Sequence, residues 1–135
     1  MKTTALMFVA LALVFTSCEI TIVEPRYDNR DNLVGSHWLE EYSQSYHMNS
    51  NFKVYIRKIG GYSSNEVVID NFYNAGIDVV GRVNGNNITI PLQYVNGYEI
   101  EGAATVYRNE ISFTYRVRDT YTASSPDYCR ATVWY

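Results

Sequence analysis

Residues 98–117 read YEIEGAATVYRNEISFTYRV, and apolar or small side chains alternate with polar ones through both halves. This period of two is typical of β-strands that bury one face and expose the other. A two-residue loop at 108–109 would pair Val106 with Ile111 and keep inward residues opposite inward residues. The stretch therefore predicts an antiparallel hairpin with one buried face.

The same alternation continues on both sides of this hairpin. It recurs in HWLEEYSQSYH, FKVYIRKI, EVVIDNF, IDVVGRV and NITIPLQ before the hairpin, and in DYCRATVWY after it. The chain therefore reads as eight strands, without a sustained helical period. The predicted inward residues outside the hairpin include Phe52, Val54, Ile56, Val67, Ile69, Ile77, Val79, Val83, Ile88, Ile90, Leu92, Cys129, Ala131 and Val133.

Glycine-containing turns test this assignment, because a shift of one residue would reverse every side chain. A two-residue loop at 84–85 would pair Val83 with Asn86. Together with the other pairings, it predicts two neighbouring inner rows. They are Val67, Gly81, Ile88, Ala104, Phe113 and Ile69, Val79, Ile90, Gly102, Tyr115.

The turn at 95–97 requires a different loop. A two-residue loop there would oppose Leu92 to Glu101 and mix the two faces. A three-residue loop, with Gly97 left-handed in a bulge, opposes Leu92 to Ile100 instead. We therefore predict the bulged loop.

Small residues beside large aromatic ones let a sheet curve sharply. Eight sequential strands then favour closure into an antiparallel up-and-down barrel over residues 37–135, which removes exposed edges. A strongly curved open sheet is the alternative. An eight-stranded barrel leaves room only for side chains or one small ligand, and the large inner rows predict a mostly filled interior.

The beginning of the chain predicts export. A positively charged start is followed by eleven apolar residues, too few to span a membrane, which requires about 20. This pattern predicts a signal peptide at residues 1–17. Residues 15–18, FTSC, resemble a bacterial lipobox, which implies acylation of Cys18; an ordinary signal peptide with an incidental cysteine is the alternative. A lipidated Cys18 would leave Cys129 without a partner for a disulfide.

Residues 18–36 carry Pro25, several charges and no sustained period, so they predict a lipid anchor and tether. Loss of residues 1–17 removes Lys2 and leaves ten basic against fourteen acidic residues, a net charge of −4. That balance does not favour nucleic acid as a partner. The predicted outward positions could not face lipid, since they include Lys53, Arg57, Asp70, Asp78, Arg82, Glu99, Glu101, Arg116 and Arg118.

The lipobox, together with YDNRDNLVGSHW, VVIDNFYNAG, NITIPLQ and GYEIEG, resembles a group of small lipoproteins of Bacteroidota. Gly35 and Trp38 near the first strand also give the architecture a lipocalin-like character. The resemblance implies a cell-envelope location, with the outer membrane as the expected membrane and its two faces left open. It implies no shared activity.

Signals for chemistry are weak. His37 and His47 lie ten residues apart, and no ligand cluster joins them at metal spacing, so no metal site is predicted. The carboxylates Glu99 and Glu101 could serve hydrolysis or bind calcium, as could Asp70 with Asp78, but solubilising surface charge is the simpler interpretation. We therefore expect no enzyme and no cofactor.

Aromatic residues form the candidate binding surface. Trp38, Tyr42 and Tyr46 alternate and are predicted to share a face, while other tyrosines fall near predicted loops. Such side chains could stack on sugars or contact a protein; core and barrel-end packing is the alternative. The candidates are Trp38, Tyr42, Tyr46, Tyr62, Tyr73, Tyr94 and Tyr121.

These features predict a non-catalytic envelope lipoprotein that acts as a binding or accessory module. Its partners would be the membrane, through the lipid anchor, and an envelope protein or glycan. The alternatives are a lipocalin-type carrier of a small ligand and a small hydrolase or inhibitor that uses the outer carboxylates.

Overall fold

The computed structural model describes residue 22 and residues 27–122 and 124–135. The predicted signal peptide and Cys18 lie outside these residues. The described part contains eight strands: β1 (Gly35–Ser43), β2 (Met48–Lys58), β3 (Glu66–Phe72), β4 (Ile77–Asn84), β5 (Asn87–Val95), β6 (Tyr98–Val106), β7 (Glu110–Asp119) and β8 (Asp127–Trp134). No helix in this part is long and apolar enough to cross a membrane.

The eight strands form one closed antiparallel barrel in sequence order. Closure is made by β1 and β8, which pair from Leu39 opposite Val133 to Ser43 opposite Cys129. The predicted up-and-down barrel is therefore confirmed, and the open curved sheet is excluded. Closure leaves neither terminal strand with an unpaired edge over these residues.

A single apolar cluster fills the barrel interior. Most inward residues predicted from the alternation are buried; Tyr98, Gly102 and Val106 are half-buried, and Leu92 is wrong, since it is 50% exposed. Leu33 and Phe72 join the cluster although the alternation did not mark them as inward. Phe72 follows an irregularity after Ile69, where the strand phase changes.

The predicted pairings within the hairpin at residues 98–117 are confirmed. Val106 lies opposite Ile111, and Gly102 lies opposite Tyr115. A Cβ atom on Gly102 would approach the Tyr115 Cβ to 2.4 Å, which explains why a residue without a side chain occupies this position. The small residue thus makes room for a large aromatic one on the next strand.

The predicted loop at 84–85 is wrong by one residue. The loop consists of Gly85 and Asn86, and Val83 pairs with Ile88. Gly85 has a φ of +58°, as the first position of a type II′ hairpin turn requires. The two inner rows therefore shift by two residues between β4 and β5, although inward residues still face inward.

The predicted three-residue loop at 95–97 is also wrong. Val95 pairs with Tyr98, and the two-residue loop 96–97 has positive φ at both positions, +47° and +86°. The register shift lies instead between residues 90 and 93, where Pro91 lacks the N–H that a regular ladder needs. Gln93 therefore opposes Ile100, and Leu92 points outward.

The chain before β1 closes one end of the barrel. Arg30 is buried, forms an ion pair with Asp28 at 2.8 Å, and donates hydrogen bonds to three backbone carbonyls, those of Ile59, Gly61 and Glu66. Hydrogen bonds from Arg30 lower the pKa of Asp28. Part of the segment assigned to the tether therefore packs on the barrel, and β1 begins two residues before the predicted boundary at 37.

Candidate functional site

The barrel has two ends with different chemistry. The Leu33 end carries the chain before β1 and the loops after β2, β4 and β6. The Asp127 end carries the loops after β1, β3, β5 and β7. Apolar side chains dominate the interior, but two acidic residues lie inside the half of the barrel nearer the Asp127 end.

Asp127 is 4% exposed and accepts hydrogen bonds from two strands and two loops. The Ser43 hydroxyl donates to both carboxylate oxygens at 2.8 and 2.7 Å, and the Tyr73 hydroxyl donates to Oδ2 at 2.9 Å. The Ser45 amide and the Cys129 thiol donate as well, at 3.1 and 3.4 Å. Asp127 therefore ties the loops after β1 and β3 to the start of β8.

These contacts set the protonation of the cluster. Burial alone would raise the pKa of Asp127, but the hydrogen bonds from Ser43, Ser45 and Tyr73 lower it overall. Burial raises the pKa of the Cys129 thiol, and the nearby carboxylates raise it further. Because a nucleophilic cysteine must ionise, Cys129 is unsuited to that role and acts as a buried donor.

Glu41 is the second interior carboxylate, and its side chain is 6% exposed. The Tyr115 hydroxyl donates to Oε2, and the Ser50 hydroxyl donates to Oε1 at 3.4 Å. Burial raises the pKa of Glu41 to about 7, the Ser50 hydrogen bond opposes the rise, and the charge of Asp127 adds to it. The group therefore titrates near neutral pH.

A small cavity of about 140 Å³ lies at the Asp127 end. Tyr46, Tyr73 and Tyr98 line it, and Asp127 forms part of its wall. The Tyr73 and Tyr98 rings meet edge to face, with centres 6.3 Å apart. This end is thus closed mainly by aromatic packing, with space for little more than a small group.

The outer carboxylates that could have served hydrolysis are held by arginines. Arg116 donates to Glu99 at 2.8 Å and to Glu101 at 2.8 Å, and Arg118 also pairs with Glu99. Hydrogen bonds from Arg116 and Arg118 lower the pKa of Glu99. A general acid needs a raised pKa, so Glu99 has the opposite of the required property.

The second pair of outer carboxylates also contacts an arginine. Asp70 and Asp78 both contact Arg57, at 3.2 and 3.4 Å. Their cross-strand proximity is as predicted, since Ile69 opposes Val79. Within the described part of the chain, no group of three or more acidic, histidine or cysteine side chains is arranged to bind a metal ion.

The seven predicted aromatic candidates do not form one surface. Trp38 and Tyr42 share the outer face of β1, but Tyr46 lies in the loop after β1, so the prediction of one common face fails there. Tyr73 lies beside Tyr46 at the Asp127 end. The others are exposed and scattered: Tyr62 after β2, Tyr94 on β5 and Tyr121 after β7.

The outer faces of β1, β2 and β8 carry several exposed aromatic residues and are here called the β1–β2–β8 face. Its rows follow from the registers: Tyr42 lies opposite Asn49 and Arg130, and Glu40 lies opposite Asn51 and Thr132. Trp38 opposes Lys53 in the next row. Three further aromatic residues are exposed on these strands: Tyr55, Tyr128 and Trp134.

Sequence reasoning missed the polar members of this face and both interior carboxylates. The signal for Glu41 was present, because Leu39, Glu41 and Ser43 share one phase of the β1 alternation. The signal for the outer rows appears only after β1 is paired with β2 and β8. Comparison with protein-family models and with curated proteins finds no match to the chain.

Proposed function

We propose that this chain is a non-catalytic lipoprotein of the cell envelope, a binding or accessory module held on the outer membrane by an acylated Cys18. Its resemblance to small lipoproteins of Bacteroidota supports this location. The barrel would bind an envelope protein or glycan with its outer surface. Acyl chains contribute about 0.8 kcal/mol per buried methylene, so a multiply acylated cysteine can hold a domain on a bilayer.

One observation carries the proposal: large side chains fill the interior, while aromatic side chains stay exposed outside. Fully buried Ile56, Ile69, Ile90 and Phe72 occupy the space that a carrier would need for its ligand. Outside, Trp38 and Trp134 remain 56% and 55% exposed. Exposed aromatic residues bring large contact area at low entropic cost, so they favour an external partner.

The arginine contacts of the outer carboxylates count against the hydrolase alternative. Glu99 and Glu101 share Arg116, which leaves neither carboxylate free to act as a general acid. The purified wild type and a Glu99→Gln, Glu101→Gln double variant should be equally inactive on panels of glycans and peptides. Activity that depends on the two carboxylates would revive the hydrolase.

Two measurements test the proposed function. Mass spectrometry of the mature protein should find acyl chains on Cys18 at the new N-terminus, and a Cys18→Ser variant should remain unmodified. An unmodified residue 18 in the mature wild type would contradict the anchor. Pull-down of the lipidated protein from its native envelope, with an unrelated lipoprotein as control, should enrich a partner, and protease shaving of whole cells assigns the membrane face.

A further inference from the structure

The β1–β2–β8 face contains an open groove of about 490 Å³. The groove lies over the row that contains Tyr42 and the row that contains Glu40. Its outward lining side chains are Glu40, Tyr42, Asn49, Asn51, Arg130 and Thr132.

Most polar side chains of this groove have no hydrogen-bond partner among the described residues; the Tyr42 hydroxyl lies 3.3 Å from the His47 Nδ1. Among the described residues, Arg130 forms no ion pair, whereas Arg57, Arg82, Arg116 and Arg118 each contact a carboxylate. Hydrogen-bonding groups without partners in the protein are available to a ligand. In this groove they are the amides of Asn49 and Asn51, the Thr132 hydroxyl, the Glu40 carboxylate and the Arg130 guanidinium. The groove therefore offers donors and acceptors side by side.

Aromatic side chains mark both ends of the β1 portion of this face. Trp38 and Tyr42 are four residues apart on one face of a strand, which places them about 13 Å apart along it. The Lys53 Nζ atom lies 5.1 Å from the centre of the Trp38 ring, and it covers one side of the indole. An extended ligand could thus contact both aromatic residues and the polar rows between them.

The composition of the groove favours a glycan over a protein. Protein interfaces deplete charged residues at their centre and cover about 800 Å² on each partner. This groove is lined by eight residues in all, and Glu40 and Arg130 among them are charged. A sugar ring presents a face of C–H groups to aromatic residues and hydroxyl groups to amides and carboxylates, which matches the lining.

We propose that the groove between β1, β2 and β8 binds an oligosaccharide that carries carboxylate groups. Arg130 pairs with a sugar carboxylate through its two-pronged guanidinium, Asn49 and Asn51 bond to hydroxyl groups, and Tyr42 stacks on a ring. This inference rests on the proposed function, since it names the partner that the external surface would hold. It adds a location and a chemical class.

The test is a glycan array that contains acidic and neutral oligosaccharides, followed by calorimetry with the bound chain and its neutral counterpart. We expect binding of acidic chains, at least tenfold weaker binding by the Trp38→Ala, Tyr42→Ala double variant, and loss of the acidic preference in Arg130→Gln. Tyr62→Ala is the control, because it removes an exposed aromatic side chain from the loop after β2, which does not line the groove. Circular dichroism checks that every variant keeps the barrel.

The outcomes separate this inference from the proposed function. No bound glycan, equal binding of neutral chains, or binding unchanged in the groove variants would overturn the glycan groove. If the envelope pull-down still enriches a partner in those cases, the proposed binding function holds and the partner binds at another surface. If neither array nor pull-down yields a partner, both proposals fail.

Discussion

The side-chain carboxamide of Gln93 on β5 forms hydrogen bonds with both backbone groups of Val80 on β4. The Val80 N–H donates to Oε1 at 2.9 Å, and Nε2 donates to the Val80 carbonyl at 2.9 Å. Backbone pairing between these strands covers only 82–84 with 87–89. One side chain therefore replaces a ladder pair where the barrel would otherwise lack hydrogen bonds.

Replacing this carboxamide should weaken the β4–β5 contact. Gln93→Leu leaves the backbone groups of Val80 without partners, so we expect a loss of about 1 to 2 kcal/mol in the free energy of unfolding. Hydrogen exchange of the Val80 amide should accelerate more than that of the Val67 amide. Gln44→Leu is the control, since its side chain lies exposed in the loop after β1. Unchanged exchange at Val80 would contradict the role of Gln93.

The alternation predicted the barrel because it depends only on which face of each strand meets water. It could not fix the β4–β5 and β5–β6 registers, because these depend on which loop position adopts positive φ and on where Pro91 interrupts the ladder. A glycine at position 85 is compatible with a loop at 84–85 and with a loop at 85–86, and the sequence does not distinguish them. Gln93 looked like an ordinary polar strand residue, and only the broken ladder gives it a structural role.

Gly102 should tolerate no side chain. A Cβ atom there would lie 2.4 Å from the Tyr115 Cβ and 2.6 Å from the Thr114 carbonyl oxygen. Because backbone would have to move, we expect Gly102→Ala to lower the free energy of unfolding by about 3 kcal/mol. Urea denaturation measures the loss. Gly61→Ala is the matched control, since nothing lies within 4 Å of its Cβ position. Equal stability of the two variants would contradict the close approach.

The Tyr73 hydroxyl should stabilise the fold through Asp127. Tyr73→Phe removes one hydrogen bond to a buried carboxylate, and such bonds contribute about 1.5 to 3 kcal/mol. We expect a loss in that range by chemical denaturation. Tyr121→Phe removes a hydroxyl from an exposed ring in the loop after β7 and should change little. A Tyr73 variant as stable as the Tyr121 variant would show that Asp127 does not need this donor.

Part of the candidate surface was accessible from sequence. Trp38 and Tyr42 were predicted to share a face because they lie an even number of residues apart on one strand. Asn49, Asn51 and Arg130 were not predicted, since they join that face only through pairing with β1. The interior carboxylates were missed for a different reason: acidic residues are usually exposed, so composition argued against Glu41 facing inward.

Glu41 should make the stability of the barrel depend on pH between about 4.5 and 7. Its pKa is 4.5 in an ordinary environment and about 7 in the folded barrel, because burial disfavours the charged form. The folded state therefore holds this proton more tightly than the unfolded state. The associated stability is complete below pH 4.5 and is lost as pH rises through 7, by about 3 kcal/mol at most.

The groups around Glu41 decide how cleanly this titration appears. Ser50 on β2 and Tyr115 on β7 donate to the carboxylate, and Asp127 on β8 adds negative charge nearby. Asp127 has a lowered pKa, so its contribution to stability is lost as the pH falls. This pH dependence is opposite in sign to that of Glu41.

Urea denaturation from pH 4.5 to 8 should show falling stability in the wild type and a flatter profile in Glu41→Gln. Glu40→Gln, on the outer face next to it, should keep the wild-type slope; a Glu41→Gln profile as steep as the wild type would assign the pH dependence to another group.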